Sequence, residues 1–298
     1  MDKAGIIRGY ANAIQVIRRR QFMPTGNKHI LVFDSGLGGT TVLKAIQEQL
    51  PDNIYSYMLD NDAFPYSNKS DAFLLERIQR LFNKLIPLAQ PDLVVIACNT
   101  ASTLTLQMLR EHFNLPFVGV VPAIKPAAAL SKTQTLALLA TEATIHRDYI
   151  DQLWAAHACH CELLRLGSQR LVELAEEKIQ GNNIDINCVK QELLPLMQHP
   201  LHQQIDVFIL GCTHFPALKS ELALAWPWPA QWIDSGDAIA RRVKELCEDT
   251  PSSPGQNPEA EAATSRGKLF LTAPDTHGQK LQALQRFGIH LCQLLEID

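Results

Sequence analysis

Two short segments carry the side chains best suited to moving protons. Cys98-Asn99-Thr100 follows the apolar run Leu93 to Ala97, and Cys212-Thr213-His214 follows Val207-Phe208-Ile209-Leu210-Gly211. In each, a thiol and short polar side chains close an apolar stretch. Helical apolar spacing then begins, as at Ala101, Leu104 and Met108. A thiol is a weak base until it ionises, with an ordinary pKa near ~8.5. The unsatisfied N–H groups and dipole of a helix N-terminus favour its anion, and both cysteines are expected to have that setting. A cysteine at a strand end is also a common packing residue, so either thiol alone is ambiguous. Two thiols with matched polar followers point to a site built twice. Cys159, Cys161, Cys188, Cys247 and Cys292 lack that context and read as packing residues.

Asp34-Ser35 and His214 are the natural partners of such thiols. A carboxylate at a strand end is placed to bind a substrate ammonium or to assist a thiol, and His214 to hold a proton near neutrality. Helix N-capping is the competing reading for Asp34 and Ser35, and a surface histidine for His214. Gly36-Leu37-Gly38-Gly39 is no nucleotide loop: a dinucleotide fingerprint needs glycine where Thr41 stands, and a P-loop needs a lysine that Gly39-Thr40-Thr41 lacks. A tight turn with close backbone approach to a carboxylate remains. Asn99, Thr100, Thr213 and Ser35 add short donors, again with capping as the alternative. Tyr66 and Ser67 lie in a long connection that either closes over the site or is an exposed turn.

The elements that must position these residues alternate between strand and helix. Ile30–Phe33, Ile54–Leu59 and Leu93–Ala97 read as strands, with helices over 41–50 and 71–89 between and beside them. The second half is expected to restart with strands at 117–121 and 135–139, a helix over 145–156, the segment 160–166 and helices over 169–179 and 185–197. Strands at 207–211 and 231–234 follow, then a helix capped by Ser235 or Asp237, a strand at 269–272 and a helix over 277–286. This order predicts an α/β fold of two similar domains, each a mostly parallel sheet flanked by helices, with the site in the cleft between them. Strand ends in such sheets border the ligand crevice. The expected division is an N-terminal extension over 1–27, a first domain over 28–117 rejoined by 235–298, and a second domain over 118–234. Residues 249–266 have almost no large apolar side chain and read as a surface loop.

With 298 residues, 46% hydrophobic and 19% charged, the chain is long enough for two ordinary cores. A net charge of −4 gives no reason to expect nucleic acid or an anionic membrane as partner. Seven cysteines without a CxxC pair form neither a disulfide framework nor a zinc pattern, so free thiols and a cytoplasmic setting are expected. No apolar run approaches the roughly 20 residues that span a bilayer. A two-lobed amino-acid-binding protein without chemistry fits two α/β halves, but gives no reason for paired thiols.

The motifs VFDSGLGGTTVLKAI, FPYSNKS, VVIACNTAST, VGVVPAIKP, LLATEATI, FILGCTHFP and WIDSGDAIARR resemble, in order, those of the glutamate racemases of the aspartate/glutamate racemase superfamily. The histidine of GCTH separates them from aspartate racemases, where glutamate usually follows Cys-Thr. The resemblance implies cofactor-independent, two-base racemisation without pyridoxal phosphate or metal, supplying D-glutamate for peptidoglycan. It implies that Cys98 serves D-glutamate and Cys212 L-glutamate, assisted by Asp34 and His214 respectively. It further implies that these two assistants, with Ser35, Tyr66, Ser67, Asn99, Thr100 and Thr213, bind the substrate's charged groups. Ser67 stands where many members have glycine. A homodimer is expected, and the VPAIKPAAA stretch resembles members that respond to a peptidoglycan-precursor activator.

Overall fold

The computed structural model describes residues 27–249 and 267–297. The expected N-terminal extension and nearly all of the 249–266 loop lie outside them. The first strand, β1 (His29–Asp34), leads through the glycine turn into α1 (Thr40–Gln49) and β2 (Ile54–Leu59). A single 3-10 turn, Tyr66–Asn68, precedes the long α2 (Asp71–Ala89), then β3 (Leu93–Ile96), α3 (Asn99–His112) and β4 (Phe117–Gly119). These strands pair in parallel. Alternating side chains of β1 to β3 feed two cores. Ile30, Val32, Tyr57 and Val95 pack toward α1; Leu31, Phe33, Met58, Val94 and Ile96 pack toward α2 and α3. A parallel sheet covered on both faces needs near-continuous apolar strands, and each fully buried side chain contributes roughly 1.5–3 kcal/mol.

The chain then crosses to a second lobe. There α4 (Ile124–Leu130), β5 (Thr135–Ala140), α5 (Glu142–Ile145), α6 (Asp148–His157) and β6 (Glu162–Gly167) come first. Next are α7 (Gln169–Ile179), α8 (Ile186–Met197), β7 (Val207–Leu210), α9 (Lys219–Ala225) and β8 (Gln231–Ile233). The strands form a parallel sheet in the order β6-β5-β7-β8. Ser168 caps α7 by accepting from Leu171 N at 2.9 Å, and Asp185 caps α8 through Asn187 N at 2.9 Å, each worth about 1 kcal/mol. Finally the chain returns: α10 (Gly236–Asp249) packs on α1, and β9 (Lys268–Leu271), α11 (Gln279–Gln285) and β10 (Leu291–Leu294) extend the first sheet to β10-β9-β2-β1-β3-β4.

Several local expectations are corrected. The strand expected to open the second half, β4, ends at Gly119 and pairs with β3, so it closes the first sheet instead. The helix expected over 145–156 is two helices, interrupted at Arg147, whose backbone is extended and whose side chain reaches Asp71 of the other lobe. Ser235 does not use its hydroxyl as a cap but donates it to Val121 O, tying together the two places where the chain crosses between lobes. Helix α4 and strand β10 were not apparent in the sequence. Pro126 interrupts the helical signal of α4 although the first turn tolerates proline, and β10 is a half-exposed edge strand visible only through its pairing with β9.

The topology locates the crevices. In the first sheet β2 and β3 lie on opposite sides of β1, so the connections diverge between the carboxyl ends of β1 and β3. In the second, β6 and β7 lie on opposite sides of β5, and the divergence falls between the ends of β5 and β7. Open α/β sheets bind ligands at such switch points. Asp34-Ser35 and Cys98-Asn99-Thr100 occupy the first; Thr141 and Cys212-Thr213-His214 occupy the second.

Candidate active site

The two switch points close on one cavity. Asp34, Ser35, Tyr66, Ser67, Cys98, Asn99 and Thr100 from the first lobe line it together with Cys212, Thr213 and His214 from the second. Every site residue singled out in the sequence therefore reaches one place. Thr141, Thr144, Val172 and Phe64 complete the wall. The enclosed volume is about 20 Å³, room for about one water molecule and not for a five-carbon amino acid. The lobes must part to admit a ligand of that size.

The two thiols have different surroundings. Cys98, 6% exposed, is the residue before α3, yet its pKa is pushed up and not down: burial dominates, and the charge of Asp34 adds to it. The helix N-terminus does not overcome desolvation, so Cys98 holds its proton. Its polar neighbour is Ser35 Oγ, 3.9 Å from Sγ. Asp34 is linked to it by hydrogen bonding through Ser35, whose hydroxyl lies 3.4 Å from Asp34 Oδ1. Cys212, 7% exposed, precedes a four-residue 3-10 turn, Phe215–Leu218, and not the α-helix expected there. What it has instead is His214, with Nδ1 3.8 Å from Sγ.

His214 is 3% exposed, which removes the surface-histidine reading. Its Nε2 lies 2.8 Å from Glu176 Oε2 and 3.2 Å from the amide N of Gly38. One ring nitrogen cannot donate to the first and accept from the second. The shorter, charge-assisted contact wins, which puts the proton on Nε2 and leaves Nδ1 facing Cys212. Burial by itself would lower the pKa of His214, but hydrogen bonds to Cys212 and Glu176 and the charges of both outweigh it and raise it well above the ordinary range. Cys212, His214 and Glu176 thus form a relay in which a carboxylate orients an imidazole toward a thiol.

Glu176 is the functional residue that sequence reasoning missed. It reads as one of the solvated charges of α7, but it lies four residues after Val172 and on the same helix face. Val172 lines the cavity. That i, i+4 relation was the available signal. The carboxylate also accepts from Leu37 N at 2.9 Å, joining the second lobe to the glycine turn of the first.

Asp34 is fully buried and does not cap α1, whose N-cap is Gly39. Its Oδ1 accepts from Ser35 N at 2.6 Å and its Oδ2 from Thr213 Oγ1 at 2.9 Å, across the lobes. Burial raises its pKa, against the nearby charge of His214 and these hydrogen bonds. Asn99 has its Oδ1 buried with no partner among the described residues. Leaving an acceptor so costs about 1–3 kcal/mol, which a ligand N–H offsets. Tyr66 lines the cavity, but its hydroxyl donates to Asp60 Oδ2 at 2.5 Å. Arg77 and Thr272 hold the same carboxylate. Ser67 donates across the cleft to Gln169 Oε1 at 2.6 Å. These two hydroxyls are already committed within the protein.

Known proteins share this chain's sequence and fold. The Asp/Glu/Hydantoin racemase family matches residues 38–243. The chain is 48% identical over 225 residues to a glutamate racemase of Pectobacterium carotovorum subsp. carotovorum, covering 76% of this chain and 78% of that one. It is 46% identical over 260 residues to one of Histophilus somni, covering 87% and 93%. The fold superimposes with a TM-score of 0.83 on Escherichia coli glutamate racemase solved with L-glutamate and the activator UDP-MurNAc-Ala, at 40% identity over 91% of this chain and 99% of that one. With a matched family over most of its length and close relatives of one kind, the chain belongs to the Asp/Glu/Hydantoin racemase family, among the glutamate racemases.

Proposed function

We propose that this chain interconverts L- and D-glutamate by transferring the α-proton between two cysteines on opposite walls of the cleft. One observation carries the reading: two buried thiols, each from the switch point of a different sheet, line a single cavity. Inverting a carbon centre needs an acid and a base on opposite faces, and two facing lobes supply one each. With L-glutamate, the Cys212 thiolate takes the α-proton, forming S–H as Cα–H breaks. The electron pair delocalises into the adjacent carboxylate, and Cys98 S–H delivers its proton to the other face. The D-enantiomer runs the steps in reverse. His214, oriented by Glu176, sets the proton on the Cys212 side, and Asp34 acts on Cys98 through Ser35. Asn99 Oδ1 accepts from the substrate ammonium, while Ser35, Thr100, Thr213 and the backbone around Tyr66 and Ser67 hold the carboxylates. Exclusion of water from so small a cavity protects the carbanion from indiscriminate protonation.

The product supplies D-glutamate for peptidoglycan, and a peptidoglycan precursor acts as activator. The Escherichia coli relative solved with UDP-MurNAc-Ala and the VPAIKPAAA stretch around α4 support this. The expected division at 28–117 with 235–298 against 118–234 is the working domain assignment, except that Val118 and Gly119, which pair with β3 in β4, go with the first domain. A homodimer in the cytoplasm is the expected setting, checked by sedimentation and fractionation; among the described residues no helix is long and apolar enough to cross a membrane. The decisive experiment follows α-proton exchange in D₂O with glutamate, aspartate and neutral amino acids, for the native chain and for Cys98→Ser and Cys212→Ser. Glutamate is expected to exchange fastest, and each variant to lose racemisation by orders of magnitude. Faster aspartate turnover, or near-native rates in either variant, overturns the proposal.

A further inference from the structure

The two thiols stand on different lobes, so their separation is set by contacts between lobes and not by local chain geometry. Behind the cavity these contacts converge on the turn after β1. Glu176 takes Leu37 N, His214 abuts Gly38, and Thr213 Oγ1 donates to Asp34. All three use groups already assigned to the chemistry. A further contact to the same loop comes from a side chain with no such assignment. Thr41, half-buried in the first turn of α1 and outside the residues that line the cavity, donates its hydroxyl to Thr213 O at 2.9 Å. The same hydroxyl lies 3.0 Å from Gly38 O, an acceptor already served by Thr41 N at 3.0 Å. The bond across the lobes is therefore the one that only this hydroxyl supplies. Thr213 is the residue between Cys212 and His214. Thr41 grips its carbonyl and Asp34 its hydroxyl, so the main chain and the side chain of the residue that follows the second thiol are both held from the opposite lobe.

We propose that Thr41 is a positioning residue of the racemisation: its hydroxyl fixes the Cys212-Thr213-His214 loop at the distance from Cys98 that in-line proton transfer requires. This deepens the two-base reading and rests on it. Proton transfer is sensitive to such placement, with misplacement of about 1 Å costing on the order of 10²-fold in rate. A single lost clamp, with Asp34 still holding the Thr213 hydroxyl, lies below that limit.

The test compares Thr41→Val, which keeps the β-branched shape and removes the hydroxyl, with Thr41→Ser, which keeps the hydroxyl. Thr40→Val is the control: Thr40 Oγ1 donates to Leu37 O at 2.7 Å, a bond of the same kind that stays within the first lobe. Thr41→Val is expected to lower kcat by about 10-fold with a smaller change in KM, and Thr41→Ser to restore it to within about 3-fold. Because the loop carries Cys212, the slowed step is its proton transfer. The primary isotope effect on kcat/KM should then rise with α-deuterated L-glutamate and fall with α-deuterated D-glutamate. Thr40→Val is expected to lower thermal stability and leave the ratio of the two isotope effects at its native value. A native kcat in Thr41→Val, no recovery in Thr41→Ser, or equal changes in both isotope effects overturns the clamp. Should that happen while Cys98→Ser and Cys212→Ser still abolish turnover, the two-base reading stands without it.

Discussion

Replacing Gly38 by alanine tests the relay at its tightest point. Gly38 does not have a left-handed backbone, so the effect of the substitution is purely one of space. The added carbon would lie 2.3 Å from His214 Nδ1, 2.6 Å from Cγ and 2.7 Å from Cε1, whereas ordinary contact begins at 3.4 Å. The ring must retreat by about 1 Å. The neighbouring Phe64 ring, with centroids 5.9 Å apart, limits rotation. Displacement lengthens both the 2.8 Å contact to Glu176 and the 3.8 Å contact to Cys212. A misplacement of that size costs about 10²-fold in kcat, equivalent to about 2.7 kcal/mol of barrier. The assay is the initial rate of optical-rotation change in both directions, paired with a thermal melt. Gly278→Ala is the control. Its φ of +67° makes alanine strained, but nothing lies within 4 Å of the new carbon, so it costs roughly 1–2 kcal/mol of stability and leaves kcat unchanged. A Gly38→Ala enzyme within about 3-fold of native kcat would refute the claim that the glycine turn seats His214 in the working enzyme.

Three further outcomes follow from the same geometry. Glu176→Gln removes a carboxylate that raises the His214 pKa above 6.5. A raised pKa keeps the imidazolium favoured until pH climbs through the folded value, so the variant should lose activity at lower pH on the alkaline side of its pH–rate profile; an unshifted limb contradicts the relay. Arg147→Ala cuts the Asp71–Arg147 bridge across the cleft mouth, with N···O distances of 2.7 and 3.1 Å. That partly exposed pair is worth about 0.2–1 kcal/mol, so KM should rise by at most about 5-fold at unchanged kcat as the contact between lobes weakens; a fall in kcat alone, measured in steady state, contradicts a role for the pair in holding the lobes together. Tyr66→Phe should cost about 1–3 kcal/mol in a denaturant titration, because Asp60 loses a donor, yet change KM by less than about 2-fold. A large KM effect would mean the hydroxyl serves the substrate after all.

The asymmetry between the thiols follows from what each is buried beside. Cys98 is buried, and beside a carboxylate, both of which disfavour its thiolate; Cys212 sits against an imidazole whose pKa is raised. The two walls of the cavity are thus electrostatically unlike, with a buried carboxylate on the Cys98 side and an imidazole paired with a carboxylate on the Cys212 side.

Local sequence was enough for the parts of this protein that depend on residue type and periodicity. Strands buried on both faces must be continuously apolar, so β1, β2, β3, β5 and β7 were legible, and with them the residues at their carboxyl ends. Asp34, Cys98 and Cys212 owe their places to that rule alone. Tertiary structure decided the rest. That Thr41 grips Thr213 depends on how one lobe lies against the other, that Glu176 meets His214 on how α7 packs beside the end of β7, and that Tyr66 turns its hydroxyl to Asp60 on how the connection after β2 folds back on itself. The protonation of Cys98 was decided there too: its place before α3 argues for a thiolate, whereas burial beside Asp34 favours the thiol. Desolvation scales with everything packed around a group, and that is a property of the folded assembly, invisible in the ten residues on either side.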